Sequence, residues 1–298
     1  MKVTRAGGIV FGMLVLISGL ILLLIHGVRK GAESGLKHST ALTLVLLLWF
    51  IVPILYKILA ARAGQELYIR RIPGLAAIDE AVGRATELGR PIMFNYGLMG
   101  LSVEALQAMT ILSHITRHVA RYGMRVLVPV VDPQVLAITQ GILREAYAAE
   151  GREDLYHPDD VMFLSGEQMA FAAGVVGIMS REKVAANFMV GVYAAESLII
   201  AEAGQQLGAI QIAATPSPMQ VPFFVATCDY VIIGDEYYAG SAYLSREPTL
   251  LGSLVGQDMG KAIITAMVAI GAILASSGLW WGSAKHALDY LVRQLGGA

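Results

Sequence analysis

The sequence has few charged residues and almost no cysteine. Only 15% of its 298 residues are Asp, Glu, Lys or Arg, whereas 56% are hydrophobic and the mean hydropathy is +0.61. Soluble domains average about 25% charged residues, so we expect part of this chain to be solvated by lipid. The single cysteine, Cys228, excludes an intrachain disulfide framework and a zinc site of the CxxC type.

Motifs that bind nucleotides or carry out catalysis are also missing. Neither GxGxxG nor GxxxxGK[ST] occurs, and Ser165 does not lie in GxSxG. His114 and His118 have the spacing of a metal-binding pair, but Ile115 stands where HExxH has its glutamate. The net charge is −1 and the basic residues are dispersed, which argues against a nucleic-acid partner. We therefore predict no catalytic residue and no metal site, and leave the cofactor unknown.

Three long apolar runs, residues 8–25, 41–61 and 262–281, predict membrane spans. The first, GIVFGMLVLISGLILLLI, would extend about 27 Å as a helix, close to the thickness of the hydrocarbon core. A signal peptide is the rival interpretation of that run, but Arg29 and Lys30 follow it in place of a cleavage site. We expect an integral membrane protein whose first partner is the lipid bilayer.

Basic residues near the second run suggest which way the chain crosses the membrane. Lys57, Arg62, Arg70 and Arg71 lie close to its end. Cytoplasmic flanks of membrane spans are enriched in Lys and Arg. We therefore expect the central region, which follows this run, to be cytoplasmic.

The central region alternates short apolar runs with longer helical patterns. Near-continuous apolar strands, each followed by a helix, predict a parallel sheet covered on both faces. The expected fold class is α/β, with a Rossmann-like, doubly wound, mostly parallel sheet inserted between membrane helices. The expected divisions of the chain are 1–65, 66–258 and 259–298. The six predicted strands are RPIMFNYG, MRVLVPVVD, DVMFLSG, VAANFMVGVY, AIQIAAT and DYVIIGDE.

The ends of these strands are the place to look for a ligand site, because doubly wound folds bind ligands beyond the carboxyl ends of their strands. Acidic side chains there could hold a divalent cation, or one of them could act as an acid. The simpler interpretation is that they stabilise helix amino termini. The acidic residues are Glu104, Asp132, Glu167, Glu196, Asp235 and Glu236, and the candidate ligand-binding residues are Asn95, Gly97, Gly100, Glu167, Glu196 and Thr215.

The first predicted strand-to-helix turn contains glycine: it is GLMG, which spans Gly97 to Gly100. A phosphate could sit at the helix start that follows, at Ser102 and Val103. The turn contains no basic residue, which counts against a nucleoside triphosphate.

Small residues are abundant on the predicted helices. They occur in AFAAGVVG and AEAGQQLG and in the pairs Gly8/Gly12 and Gly256/Gly260. In lipid such surfaces pack helices together, and in the α/β domain they permit close contacts within the domain or between subunits. Glu196 is accordingly expected to cap a helix built for packing.

Three segments resemble a family of uncharacterised prokaryotic membrane proteins that carry a domain of unknown function. They are ELYIRRIPGLAAIDEAVGRATELGRPIMF, IAATPSPMQVPFFVATCDYVIIGDE and LLGSLVGQDMGK. The resemblance covers most of the chain from Glu66 onward. It implies membrane anchorage, in a prokaryotic plasma membrane, and implies no reaction.

The leading hypothesis is a membrane-anchored oligomeric scaffold or assembly subunit whose α/β domain mediates subunit association. Its partners would be further copies of the chain and other membrane proteins. The first alternative is a membrane-bound enzyme or a small-ligand or nucleotide sensor that uses the strand ends. The second is a subunit of a channel or transporter, which is disfavoured because the predicted spans hold no charged residue at mid-depth. The tail SAKHALDYLVRQLGGA has an apolar helical face that suits a membrane interface or a neighbouring subunit.

Overall fold

The structure is a computed structural model that describes residues 12, 38–65, 67 and 72–278. The chain divides into two compact units, one formed by Met1–Ile69 with Glu247–Ala298 and the other by Arg70–Arg246. Along the chain the elements are α1 (His38–Arg62), α2 (Pro73–Leu88), β1 (Ile92–Gly97), α3 (Val103–Arg121), β2 (Val126–Val130), α4 (Pro133–Ala149), β3 (Val161–Phe163), α5 (Gln168–Glu182), β4 (Ala186–Val192), α6 (Glu196–Gln206), β5 (Ile210–Thr215), α7 (Val221–Thr227), β6 (Tyr230–Ile233), α8 (Asp235–Ser245) and α9 (Pro248–Gly278).

The second unit is built on a six-stranded, all-parallel sheet. Its strand order is β3-β2-β1-β4-β5-β6, so the order reverses between β1 and β4. Every residue of β1, β2 and β5 is buried, as expected for strands covered on both faces. One hydrophobic core lies against α2, α3, α4 and α8, and the other lies against α5, α6 and α7. The predicted parallel Rossmann-like sheet is confirmed.

Local sequence signals set the helix ends in this unit. Ser102 accepts a hydrogen bond from the Ala105 N–H at the start of α3, and Asp132 accepts one from Gln134 at the start of α4. Pro73 opens α2 and Gly89 ends it with a left-handed backbone at φ 62°.

The polar stretch Gly151–Asp160 forms two short 3-10 turns, Glu153–Leu155 and Pro158–Asp160. It is not wholly a surface loop, because Asp160 is buried and forms an ion pair with Arg125. The last of these turns leads directly into β3.

In the first unit, α1 and α9 pack against each other in antiparallel directions. Three glycines of α9, spaced four residues apart, form the contact: a Cβ on Gly252 would lie 2.5 Å from Ile58 Cα, one on Gly256 2.5 Å from Ile54 Cα, and one on Gly260 2.7 Å from the ring of Phe50. Glycine therefore allows the two helix backbones to approach closely.

Among the described residues, one helical stretch is long and apolar enough to cross a membrane, Pro248–Ile273 in α9. It begins upstream of the predicted span 262–281. The predicted span 41–61 falls within α1. The predicted span 8–25, apart from Gly12, and the tail from residue 279 onward lie outside the described residues.

Candidate functional site

The carboxyl ends of β1 and β4 flank the point where the strand order reverses, which is where doubly wound folds bind dinucleotides. Here the two strand ends approach each other closely. Gly97 has φ +68°, and a Cβ on it would lie 2.3 Å from the carbonyl oxygen of Val192. A Cβ on Gly191 would lie 2.2 Å from the carbonyl oxygen of Tyr96. The Leu98 N–H also donates to the Val192 carbonyl at 3.1 Å, so the two ends are joined directly.

Side chains of this chain fill the space beside that junction. Tyr193 is 4% exposed, and its ring lies against Gly97. Its hydroxyl donates to the Asn95 carbonyl oxygen at 2.8 Å and also contacts Asn95 Oδ1. Burial raises the pKa of Tyr193 well above its usual range, so the phenol stays protonated and remains a donor. Met99 is buried as well and reaches Gly191.

A row of buried amides continues from Asn95 across the sheet. Asn95 Nδ2 donates to Asn187 Oδ1 at 3.3 Å, and Asn187 Nδ2 donates to Gln211 Oε1 at 3.3 Å. Gln211 Nε2 then donates to the carbonyl oxygens of Ala201 at 2.7 Å and Thr227 at 2.9 Å. The row is hydrogen-bonded throughout, as buried polar groups require. Sequence reasoning missed Asn187 and Gln211, although each is a single polar residue within an apolar strand.

Glu196 is fully buried at the first position of α6. Its Oε1 accepts a hydrogen bond from the Ala194 N–H at 2.8 Å, and its Oε2 accepts one from Gln168 Nε2 at 2.6 Å. The next residue, Ser197, donates to Gln220 Oε1 at 3.0 Å. This geometry links the amino-terminal ends of α5, α6 and α7, which fits a capping and packing role for Glu196.

The other predicted ligand-binding residues do not meet Glu196 around one opening. Thr215 is fully buried, and its Oγ1 accepts a hydrogen bond from the Ser217 N–H at 3.2 Å. Glu167 is exposed, immediately before α5. A Cβ on Gly100 would lie 2.9 Å from Asp132 Oδ2. Ligand binding by this set therefore stays a prediction.

The loops that follow the six strands, all of them described, contain no Lys, Arg or His. Their charged residues are acidic. Hydrogen bonds from the backbone and from Ser102 lower the pKa of Glu104, so its carboxylate stays ionised at neutral pH. A phosphate group at this edge would find no cationic side chain in these loops.

The same edge exposes large apolar side chains. They follow β1, β4 and β5, which are neighbouring strands around the reversal, and Met219 is 80% exposed. We call this set the apolar rim: Leu101, Val103, Leu198, Ile199, Met219 and Phe223. Sequence reasoning missed it, because an apolar residue in a helix start is usually assigned to the core.

The opposite edge of the sheet contains an open depression of about 340 Å³. Arg84, Gln205 and Asp229 contribute to its polar lining. Cys228 also lines it, but burial raises the pKa of its thiol to about 12, so it is not a thiolate at neutral pH.

His114 and His118 lie on α3, away from the carboxyl edge. His118 Nδ1 is 3.5 Å from Asp79 Oδ1, and burial lowers the pKa of His114. Within residues 38–65 and 72–278, no group of three His, Cys, Asp or Glu side chains is placed to hold a metal ion.

These features define a class: a doubly wound α/β unit in a chain that also carries a helix of membrane-spanning length. A family model described as a domain of unknown function, DUF6754, matches residues 31–285. The chain belongs to this family, as the resemblance of its segments indicated. No curated protein and no solved structure matches the chain.

Proposed function

We propose that the chain is a membrane-anchored subunit of a homo-oligomeric assembly in a prokaryotic plasma membrane, with the α/β unit on the cytoplasmic side. In this proposal the α/β unit makes subunit contacts through the apolar rim. The observation that carries it is the exposure of the rim residues at or just before the starts of α3, α6 and α7, which follow three neighbouring strands. Large exposed apolar patches on soluble surfaces are typical of interaction sites.

The packing around the point where the strand order reverses supports subunit association over ligand binding. Tyr193 and Met99 occupy space beside it, and Gly97 brings the ends of β1 and β4 into contact. The surrounding loops offer no cation to a phosphate. The edge therefore suits an apolar protein surface better than a nucleotide.

The alternative, a small-ligand sensor, draws its support from the buried carboxylate of Glu196. A ligand there would have to replace the Gln168 and Ala194 hydrogen bonds at 2.6 and 2.8 Å. A ligand that does so should change the melting temperature of the wild-type chain and leave that of Glu196→Gln unchanged. A thermal-shift screen with nucleotides and divalent metals separates this alternative from the scaffold.

Two glycines of the small-residue helices support the interpretation that these surfaces pack within the domain. A Cβ on Gly174 would lie 2.9 Å from Leu164 Cδ1, and one on Gly204 would lie 2.4 Å from Gln211 Oε1. Both glycines therefore serve packing inside the α/β unit. The proposal depends on the apolar rim instead.

The test is the mass of the full-length chain in detergent, measured by light scattering across a concentration series. We expect wild type to self-associate, and Met219→Ser/Phe223→Ser to weaken association at least tenfold, since buried interface anchors each contribute more than about 1 kcal/mol. The matched control is Tyr122→Ser, which removes another exposed aromatic ring, 56% exposed, beyond the far end of α3. A strictly monomeric wild-type particle would overturn the proposal.

A further inference from the structure

A cationic side chain lines the open depression at the edge of the sheet opposite the apolar rim. Arg84 of α2 is exposed there. A glutamate four residues earlier on a helix is the usual partner of an arginine. Glu80 has that position, but its Oε2 accepts a hydrogen bond from the Tyr230 hydroxyl at 2.9 Å. Among the residues that the structure describes, none pairs with the Arg84 guanidinium, which is therefore open to a bound anion.

A carboxylate lines the same depression. Asp229 precedes β6, and its Oδ2 accepts a hydrogen bond from the Gln211 N–H at 2.8 Å, which holds the side chain at the edge of the sheet. Within the described part of the chain, Asp229 Oδ1 has no hydrogen-bond partner, and Asp229 forms no ion pair with Arg84. Helix α6 also ends at Gln206, beside the depression, and the carboxyl end of a helix attracts positive charge.

We propose that this depression binds a small zwitterion, a free amino acid that carries one ammonium group and one carboxylate. The Arg84 guanidinium donates hydrogen bonds to the carboxylate of the ligand, and Asp229 Oδ1 accepts one from its ammonium group. Gln205 and Thr227 line the depression and add neutral polar groups. Its volume of about 340 Å³ lies at the lower end of the range of about 300–1,000 Å³ that is typical of ligand pockets, which suits a small molecule.

The two opposite charges favour a zwitterion over a ligand with charge of one sign. A phosphate or a dicarboxylate would meet the carboxylate of Asp229 as well as the guanidinium of Arg84. A metal cation or a polyamine would meet the reverse combination. An amino acid satisfies both side chains at once. This inference does not depend on the apolar rim, which lies at the other edge of the sheet.

The test screens the standard free amino acids against the full-length chain in detergent by thermal shift, and calorimetry then gives the Kd of each one that raises the melting temperature. We expect binding, and we expect the methyl ester and the N-acetyl derivative of the same amino acid, each of which lacks one charge, to bind about tenfold or more weakly. Arg84→Gln and Asp229→Asn should weaken binding of the free amino acid to a similar extent. The asparagine keeps an acceptor for the Gln211 N–H.

Each variant should also lose one discrimination. Arg84→Gln should bind the free amino acid no better than its methyl ester, and Asp229→Asn should bind it no better than its N-acetyl derivative. Arg144→Gln and Asp159→Asn make the same changes at exposed positions outside the depression and should bind as wild type does.

Two results would overturn the inference: no free amino acid binds to wild type, or wild type binds the methyl ester and the N-acetyl derivative as well as the free amino acid. The derivatives are tested on wild type, so this outcome does not depend on the folding of a variant. Light scattering of the same samples tests the proposed function separately. An oligomer that binds no amino acid would remove this inference alone, and a monomer that binds one would remove the proposed function alone.

Discussion

Single residues in the α/β unit are held by polar contacts that cross the sheet. The amide row from Asn95 through Asn187 to Gln211 joins three neighbouring strands and ends on two backbone carbonyls. The side-chain amide group of each of the three residues donates a hydrogen bond to an acceptor within the unit. A register slip of one residue would turn these side chains to the other face of the sheet and leave their partners unpaired. The row therefore favours one pairing of β1, β4 and β5.

Gly204→Ala tests how tightly this row is packed. The added methyl group would lie 2.4 Å from Gln211 Oε1 and would displace the amide that Asn187 contacts. We expect the free energy of unfolding to fall by about 1–3 kcal/mol. Gly141→Ala is the control, because Gly141 is an exposed helical glycine with nothing within 4 Å of its added Cβ. It should leave stability unchanged or raise it by up to about 1 kcal/mol. Thermal unfolding of the full-length chain, followed by circular dichroism, compares them, and equal effects would contradict the packing argument.

At the scale of elements, the strands were predictable and the contacts of their ends were not. All six strands were predicted, because a fully buried parallel strand is a short apolar run bounded by polar turns. Helix α7 was not predicted within SPMQVPFFVATC, where two prolines and the short length hide a helical period. The start of α9 at Pro248 was missed because Asp258 and Lys261 interrupt the apolar run.

In the candidate site, too, the positions of residues along the strands were predictable and their contacts were not. Asn95, Gly97, Glu196 and Thr215 were singled out because chain order puts them at strand ends. The sequence does not show that Tyr193 folds back onto Asn95, or that Gln168 reaches Glu196 from the preceding helix. Both contacts join residues at least 28 positions apart. Periodicity describes which way a residue faces within its own element and carries no information about such pairs.

The close packing of α1 on α9 gives a prediction for the helical unit. Gly256→Leu would drive a side chain into the backbone of Ile54, where a Cβ alone would lie 2.5 Å from Cα. We expect the two helices to separate locally, at a cost of about 1–3 kcal/mol in the stability of the pair. Gly271→Leu adds the same side chain to the same helix at a site with nothing within 4 Å of its Cβ. The thermal midpoint in detergent should fall for the first variant only, and a similar fall for both would contradict a specific glycine contact.

At the scale of the whole molecule, composition alone indicated a chain divided between lipid and water. The structure has a helical unit, which contains a stretch of α9 long and apolar enough to cross a membrane, and an α/β unit with a buried, doubly wound sheet. The α/β unit exposes the apolar rim beyond three neighbouring strands, where polar side chains are usual, and it is this surface that we assign to contacts between subunits.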